Sequence, residues 1–261
     1  MIRRLITIED RSAEWPVIAI GNDWSREHYD GPFHLFQLPD DLPAVSLVFV
    51  QSRDGNTGAD NPADLGGGPT DKYVIYEGLS RVAADGVMAG ASTIGKSVFF
   101  TITRPELVKL RHDLDLPRHP AQIVVSERGH IDLSSRVFSM PDVPVFLLAG
   151  EKGIEKIAAD LRARPWITII PIDGDLPAAL LRLRRDHGLS RISSVGGRAL
   201  ATSLVDAGLV QDIYLTTSAI EAGEAGTPWY TGPVAPKLQL IVSKREDVAE
   251  APIQVEHLAI G

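Results

Sequence analysis

The chain has 261 residues, 44% hydrophobic and 23% charged, a balance that suits a folded globular protein and excludes a disordered one. Its net charge of −8 argues against nucleic-acid and anionic-membrane partners. The absence of cysteine excludes disulfides, thiol nucleophiles and cysteine-held zinc.

The N-terminal run "LITI" stops at Glu9, short of the roughly 7–15 apolar residues of a signal peptide. No later run approaches the ~20 residues of a membrane span, so a cytoplasmic protein is expected. Residues 1–42 read as an irregular arm, because prolines and acidic pairs break each apolar stretch. A single domain is expected over 43–261. It opens with "AVSLVFV" (Ala44–Val50), a strand covered on both faces. After the Gly- and Asp-rich loop, Thr70 is placed to cap a helix whose apolar side is Ile75, Leu79, Val82 and Ala83.

"DGVMAGAST" reads as a second buried strand entering a glycine turn. "RPELVKLRHDLDLPRHP" reads as a short helix and a proline-bounded loop. "AQIVVSERG" and "VPVFLLAG" are two further strands, followed by a helix over 151–164 and strand "ITIIPI". The next helix starts at Asp175 with Pro177 in its first turn and ends on His187 and Gly188. Arg182, Arg184 and Arg185 read as its solvated end. Strand "RISSV", the pair Gly196-Gly197, a helix carrying Leu200 and Leu204, and strand "QDIYLTTSAI" come next. Two alternating runs, "LQLIVSKRE" and "IQVEHLAI", predict an antiparallel C-terminal edge. Strands alternating with helices in this way imply an α/β fold, a mainly parallel central sheet with helices on both faces.

In such sheets ligands bind beyond the carboxyl ends of the strands. Three glycine turns fall there: Gly90 with Ser92 and Thr93, Gly129, and Gly196-Gly197. The last precedes a helix, so it is either a bare strand-to-helix turn or a cradle for a phosphate on the helix N-terminus, with Arg198 adding charge. Asp54 in "SRDGNTG" likewise has two readings, an Asp-Gly turn or an acid beside a substrate. The histidines have no metal-ligand spacing, so no metal site is expected. No G-x-S-x-G elbow supports serine hydrolysis.

From about Pro43 to Glu221 the chain resembles the reductase family of riboflavin biosynthesis, the dihydrofolate-reductase-like domain of the bifunctional pyrimidine deaminase-reductase. Ser52, Asp54 and Gly55 match its S-x-D-G. "LSRVAADGVMAGAST" matches its helix and G-x-G-T turn, with Ser92 where glycine is usual, and "IVVSERGHIDL" matches its third strand and turn. "VGGRALATSLVDAGLVQDIYL" matches its E-G-G, helix and A-G-L-V-D-E segment.

The resemblance implies an NADPH-dependent homodimeric reductase acting on a small molecule. By it, the dinucleotide lies across Gly90, Ser92, Thr93, Ser126, Gly196, Gly197 and the helix start Arg198-Ala199-Leu200, with Arg128 near the 2′-phosphate. Ser52, Asp54 and Val195 line the substrate side, and Asp54, or a water it orients, is the candidate proton donor. A donor carboxyl works best with its pKa raised toward neutrality.

Val195 replaces the family glutamate, the loop before Tyr73 lacks the Trp-Ile-Thr run, and no zinc deaminase domain is present. These departures leave three readings. They are a reductase of another C=N or C=O substrate, a standalone pyrimidine reductase, and a dinucleotide-binding protein without catalysis.

Overall fold

The computed structural model describes residues 1–95, 98–172 and 174–261. Among these residues, ten strands form one sheet and two form a separate hairpin. In chain order the strands are β1 (Leu5–Asp10), β2 (Val17–Ile20), β3 (Phe33–Phe36), β4 (Ala44–Gln51), β5 (Gly86–Gly90), β6 (Ala121–Ser126), β7 (Val145–Ala149), β8 (Ile167–Pro171), β9 (Arg191–Ser194), β10 (Asp212–Thr217), β11 (Leu238–Glu246) and β12 (Gln254–Ile260). The helices are α1 (Asp23–Tyr29), α2 (a turn at Gly68–Thr70 continued as a π-helix over Asp71–Leu79), α3 (Pro105–Asp113), α4 (Glu151–Leu161), α5 (Leu176–His187) and α6 (Arg198–Asp206).

The large sheet runs β1-β11-β12-β10-β4-β9-β5-β6-β7-β8. From β10 to β8 every neighbouring pair is parallel, and β12, β11 and β1 add antiparallel strands on one side. Alternate side chains of each strand feed opposite faces. Val48, Val87, Val124 and Leu147 pack with Val74, Ile75 and Leu79 of α2, Leu107 of α3 and Ile157 of α4. Leu47, Met88, Ile123 and Leu148 pack with Leu180 and Leu183 of α5 and Leu200 and Leu204 of α6. This is the two-faced, mainly parallel architecture expected from the strand-helix alternation.

The helix after Asp175 follows the local signals closely. The Asp175 carboxylate accepts from the Ala178 N–H, Pro177 lies in the first turn, and Gly188 closes the helix at φ +72°. The helix expected over 151–164 ends at Leu161.

Two expectations are corrected. Residues 1–42 are not irregular: β1 pairs with β11, β2 pairs with β3, and Asn22 caps α1 with a reciprocal Ser25 bond. Only Leu5 of β1 is buried, so the strand shows almost no alternation and owes its place to the ladder with β11, a partner more than 200 residues away.

Thr70 does not cap α2. Its hydroxyl donates to Glu246 at 2.6 Å and accepts from the Arg3 N–H, while α2 starts directly from the glycine run Gly66–Gly68. The helix then widens to i→i−5 bonds, as in Ser80 N–H to Ile75 O at 2.9 Å. Ile75, Leu79, Val82 and Ala83 are nevertheless buried.

Candidate active site

The connection from β8 through α5 returns the chain to insert β9 between β4 and β5, and β10 then lies beyond β4. The strand order therefore changes direction at β4-β9-β5, the kind of switch point outside whose carboxyl ends α/β sheets bind ligands.

The β5 and β9 ends meet there. The Gly90 N–H donates to Gly196 O at 3.4 Å, and Thr93 N–H donates back to Gly90 O at 2.9 Å. Gly196 and Gly197 stand at φ +150° and +93°, which L side chains rarely adopt. A Cβ on Gly196 would lie 3.0 Å from Thr93 Cγ2, and one on Gly197 would lie 3.5 Å from Thr93 Oγ1 and 3.6 Å from Gly90 N.

Gly197 occupies the N-cap of α6 without any side-chain cap, so the first N–H groups of the helix are offered to a ligand and the dipole favours an anion. The expected Gly90, Thr93, Gly196, Gly197 and Arg198 are thus brought together, with Ser92 exposed beside them and Ala199 exposed on the first turn. Leu200 differs: its side chain is buried in the apolar layer under α6, leaving only its backbone N–H for the cradle.

The next strand end adds Ser126, half-buried, whose hydroxyl donates a long 3.5 Å bond to His130 O, and the exposed Arg128 two residues on. Gly129 at φ +66° crosses Gly153 of α4 backbone to backbone. A Cβ on Gly153 would sit 2.6 Å from Gly129 N, so this turn is fixed against α4 by the absence of side chains.

On the other side of β9, Ser52 and Asp54 follow β4. Ser52 is fully buried and donates its hydroxyl to Asp54 Oδ1 at 2.6 Å; Asn56 Nδ2 donates to Oδ2 at 2.6 Å. Asp54 itself is exposed. The Ser52 hydrogen bond, the largest cause, holds its carboxyl below the usual carboxylate range despite an opposing desolvation effect. The raised pKa wanted of a proton donor is therefore absent in the free protein, where Asp54 is a carboxylate at neutral pH.

Its loop is fastened to residues 220–227. Thr227 N–H donates to Asn56 Oδ1, Gly58 N–H to Thr227 Oγ1, and Arg53 N–H to Ile220 O. Asn56 and Thr227 tie this loop down, and the sequence pattern did not single them out; the turn reading fell on the pair Asp54-Gly55.

Val195 is 8% exposed and lies in the apolar layer on the α2 face, so its side chain belongs mainly to the core. A cavity of about 500 Å³ opens beside the glycine run, between Met1, Arg3, Gly66–Gly68, Ile220 and Ile253, and none of the predicted site residues lines it. Among the described residues no three His, Asp or Glu side chains gather as a metal site, and no helix is long and apolar enough to cross a membrane.

The family model for the RibD C-terminal domain matches residues 43–250. A search of curated proteins returns no match. Among solved structures, RibD of Acinetobacter baumannii superposes with a TM-score of 0.63 at 14% identity, over 85% of this chain and 58% of that one. This chain thus spans little more than half the length of that protein.

A pyrimidine reductase-like protein of Corynebacterium diphtheriae superposes with a TM-score of 0.62 at 17% identity, covering 84% and 92%. The riboflavin biosynthesis reductase Rib7 of Saccharomyces cerevisiae gives 0.59 at 15%, covering 85% and 93%. At these identities the likeness establishes the fold, and the family match establishes descent. The chain belongs to the RibD C-terminal domain family, the riboflavin-biosynthesis pyrimidine reductases of dihydrofolate-reductase-like fold.

Proposed function

We propose that this chain is an NADPH-dependent reductase that reduces a C=N or C=O group of a small heterocyclic molecule. The observation that carries the reading is the convergence of Gly90, Thr93, Gly196, Gly197 and the uncapped start of α6 at the switch point. The cradle has the open backbone that a pyrophosphate needs, so the residues fit the cofactor. Gly90, Ser92, Thr93, Ser126, Gly196 and Gly197 would hold the dinucleotide with the N–H groups of Arg198, Ala199 and Leu200, and Arg128 would take the 2′-phosphate through its fork of donors. Bound there, the cofactor supplies hydride. The chain's share is to bind, to orient and to exclude water.

Asp54 faces the substrate as a carboxylate. In that state it accepts a hydrogen bond from a substrate N–H or orients a water, and Ser52 and Asn56 fix its direction. Asp54→Asn keeps the shape and removes the charge. Turnover is expected to fall by about 10²-fold, the lower range for a group acting directly on a reacting molecule, with NADPH affinity within about twofold of the wild type. Unchanged turnover would remove Asp54 from the site.

The family match favours a pyrimidine as the substrate class. Val195 favours a substrate that makes no charged contact at that point. A panel of pyrimidines, pterins and carbonyl compounds assayed by NADPH oxidation separates these, and binding without turnover on any of them supports a non-catalytic protein instead. Fluorescence titration with NADPH and NADH tests the cofactor assignment directly: tight NADPH and weak NADH binding is expected, and binding of neither defeats the reading. We further read residues 43–261 as the reductase unit of a cytoplasmic homodimer with 1–42 as an arm, and sedimentation tests the dimer.

A further inference from the structure

The cavity of about 500 Å³ beside the glycine run has the size of the pockets that hold small molecules. One wall of it is bare backbone. Gly66, Gly67 and Gly68 put no side chains into it, Pro69 adds a ring and no N–H, and a Cβ on Gly68 would meet nothing within 4 Å. A Cβ on Gly66 would instead lie 2.8 Å from Ile220 Cδ1, and one on Gly67 would lie 2.8 Å from Asp71 Cβ and 3.0 Å from Val50 Cγ2. Two glycines therefore let the loop settle onto Ile220 and the end of β4, and the third faces open space. This is the stretch in which the chain lacks the Trp-Ile-Thr run.

Another wall comes from the residues after β10. Ser218 N–H donates to Gln51 O at 2.9 Å and Arg53 N–H to Ile220 O at 2.7 Å, so residues 218–220 run on beside 51–53. Ala219 and Ile220 line the cavity, and Arg53 directly precedes Asp54. With strands about 4.8 Å apart and residues about 3.3 Å apart along them, the rim at Ile220 lies roughly 5–10 Å from Asp54, backbone to backbone. A heterocycle with one substituent spans that gap.

The lining is apolar and its side chains carry no net charge. Its charged side chains are Arg3 and Glu246, which pair at 3.1 Å, and Glu246 also accepts from Thr70 Oγ1 at 2.6 Å and Ile253 N–H at 3.3 Å. A phosphate or carboxylate seated here would face the Glu246 carboxylate and find little to replace its water. An uncharged ring or branched alkyl group meets Ala219, Ile220, Ile253 and the side chain of Met1, which adapts to irregular shapes. Met1 and Ile220 are large apolar side chains left exposed, and both border this cavity.

We propose, on the reductase reading above, that this cavity is the substrate subsite for an uncharged apolar substituent, an aryl or branched alkyl group carried on the reducible heterocycle. Its lining sets specificity and takes no part in the hydride step. Met1 and Arg3 bring the N-terminal residues into the subsite. Arg3 N–H donates to Thr70 Oγ1 at 3.1 Å and Asp247 N–H to Arg4 O at 2.9 Å, which fasten that segment to α2 and to the turn after β11.

Two probes with one ring system test the chemistry of the cavity without turnover: N-phenyl-1-naphthylamine, which is uncharged, and 1-anilinonaphthalene-8-sulfonate, which adds an anionic group. By fluorescence, the uncharged probe is expected to saturate a single site on the wild-type protein. Ala219→Trp fills the cavity and should weaken that binding at least about 10-fold, while any binding of the sulfonate stays as it is. Ile220→Asp, at an exposed position, puts a charge on the wall and should weaken the uncharged probe likewise; it decides if Ala219→Trp does not fold. An uncharged probe that does not bind, or that binds both variants as it binds the wild type, overturns the proposal.

In turnover, pyrimidines and pterins bearing hydrogen, methyl, propyl or benzyl at one ring position should gain about fourfold in kcat/KM for each methylene seated. A phosphomethyl group at the same position should lose that gain, and Ala219→Trp should erase it. A phosphorylated compound turned over better than every uncharged one overturns the proposal. Wild-type protein that binds the uncharged probe yet neither binds nor oxidises NADPH defeats the reductase reading instead, so the two failures are told apart.

Discussion

Gly197→Val is expected to weaken NADPH binding by at least about 100-fold, because two or more charge-assisted N–H contacts are lost and each contributes about 1.5–3 kcal/mol. Two effects act together. At φ +93° and ψ +95° a β-branched residue is strained, at a cost of about 1–3 kcal/mol. The added side chain also projects toward Thr93 and Gly90, into the space where the phosphates would lie.

The strain alone lowers the melting temperature by a few degrees, so the two contributions separate: melting reports the backbone, and fluorescence titration reports the cradle. Gly174→Ala is a control, since that glycine also has positive φ, at +80°, with open space around it, and lies at none of the site's strand ends. It should cost stability and leave NADPH binding as it is. A Gly197→Val protein that binds NADPH with wild-type affinity would mean that the cofactor lies elsewhere.

The reading of Gly196 and Gly197 shows how far local pattern reaches. Two glycines after an apolar run and before a helix said that the chain turns, and left open what the turn holds. The support for a cradle comes from β5 and β9 being neighbours, which brings Gly90 to Gly196 O. That adjacency requires the chain to pass four strands, β5 to β8, before β9 returns beside β4, and no window of sequence contains it.

The elements legible in advance are those whose causes are local. Asp175 and Gly188 end α5 by contacts within a few residues, and the apolar runs of β4, β5 and β7 are buried on both faces. The elements missed have distant causes. β1 depends on β11, and the Thr70 hydroxyl goes to Glu246, 176 residues away, instead of to its own helix.

The two acids teach the same lesson at the level of charge. Asp54 looked like a proton donor from its motif, yet the serine two positions before it, Ser52, and Asn56 two positions after it stabilise the ionised form. Asp71 belongs to no motif of the sequence and stands in the first turn of α2. Only packing against β4 and β10 desolvates it.

Arg111→Met is expected to cost about 3–5 kcal/mol of stability, the range for removing one partner from a buried ionic or hydrogen-bonded arrangement. Arg111 is fully buried on α3. Its Nη1 donates to Arg81 O at 2.8 Å and Ala84 O at 2.7 Å, and its Nε donates to Pro117 O at 2.7 Å. These carbonyls lie just past the end of α2 and in the loop before β6, where no regular ladder satisfies them.

Desolvation, the dominant influence, lowers the Arg111 pKa to about 10, opposed by Asp85, so the side chain is still a cation at neutral pH. Methionine fills the stem's space and takes the side-chain donor from three carbonyls, of which Arg81 O keeps the Ala84 N–H. At about 2–4 °C per kcal/mol for a chain of this size, the melting temperature should fall by roughly 10 °C. Arg111→Lys should recover less than half of that, since one ammonium cannot reach carbonyls on both sides of α3 as the guanidinium fork does. A fall of less than about 2 °C in the Met variant would show that the carbonyls find other donors, and that α2 is held by its apolar face alone.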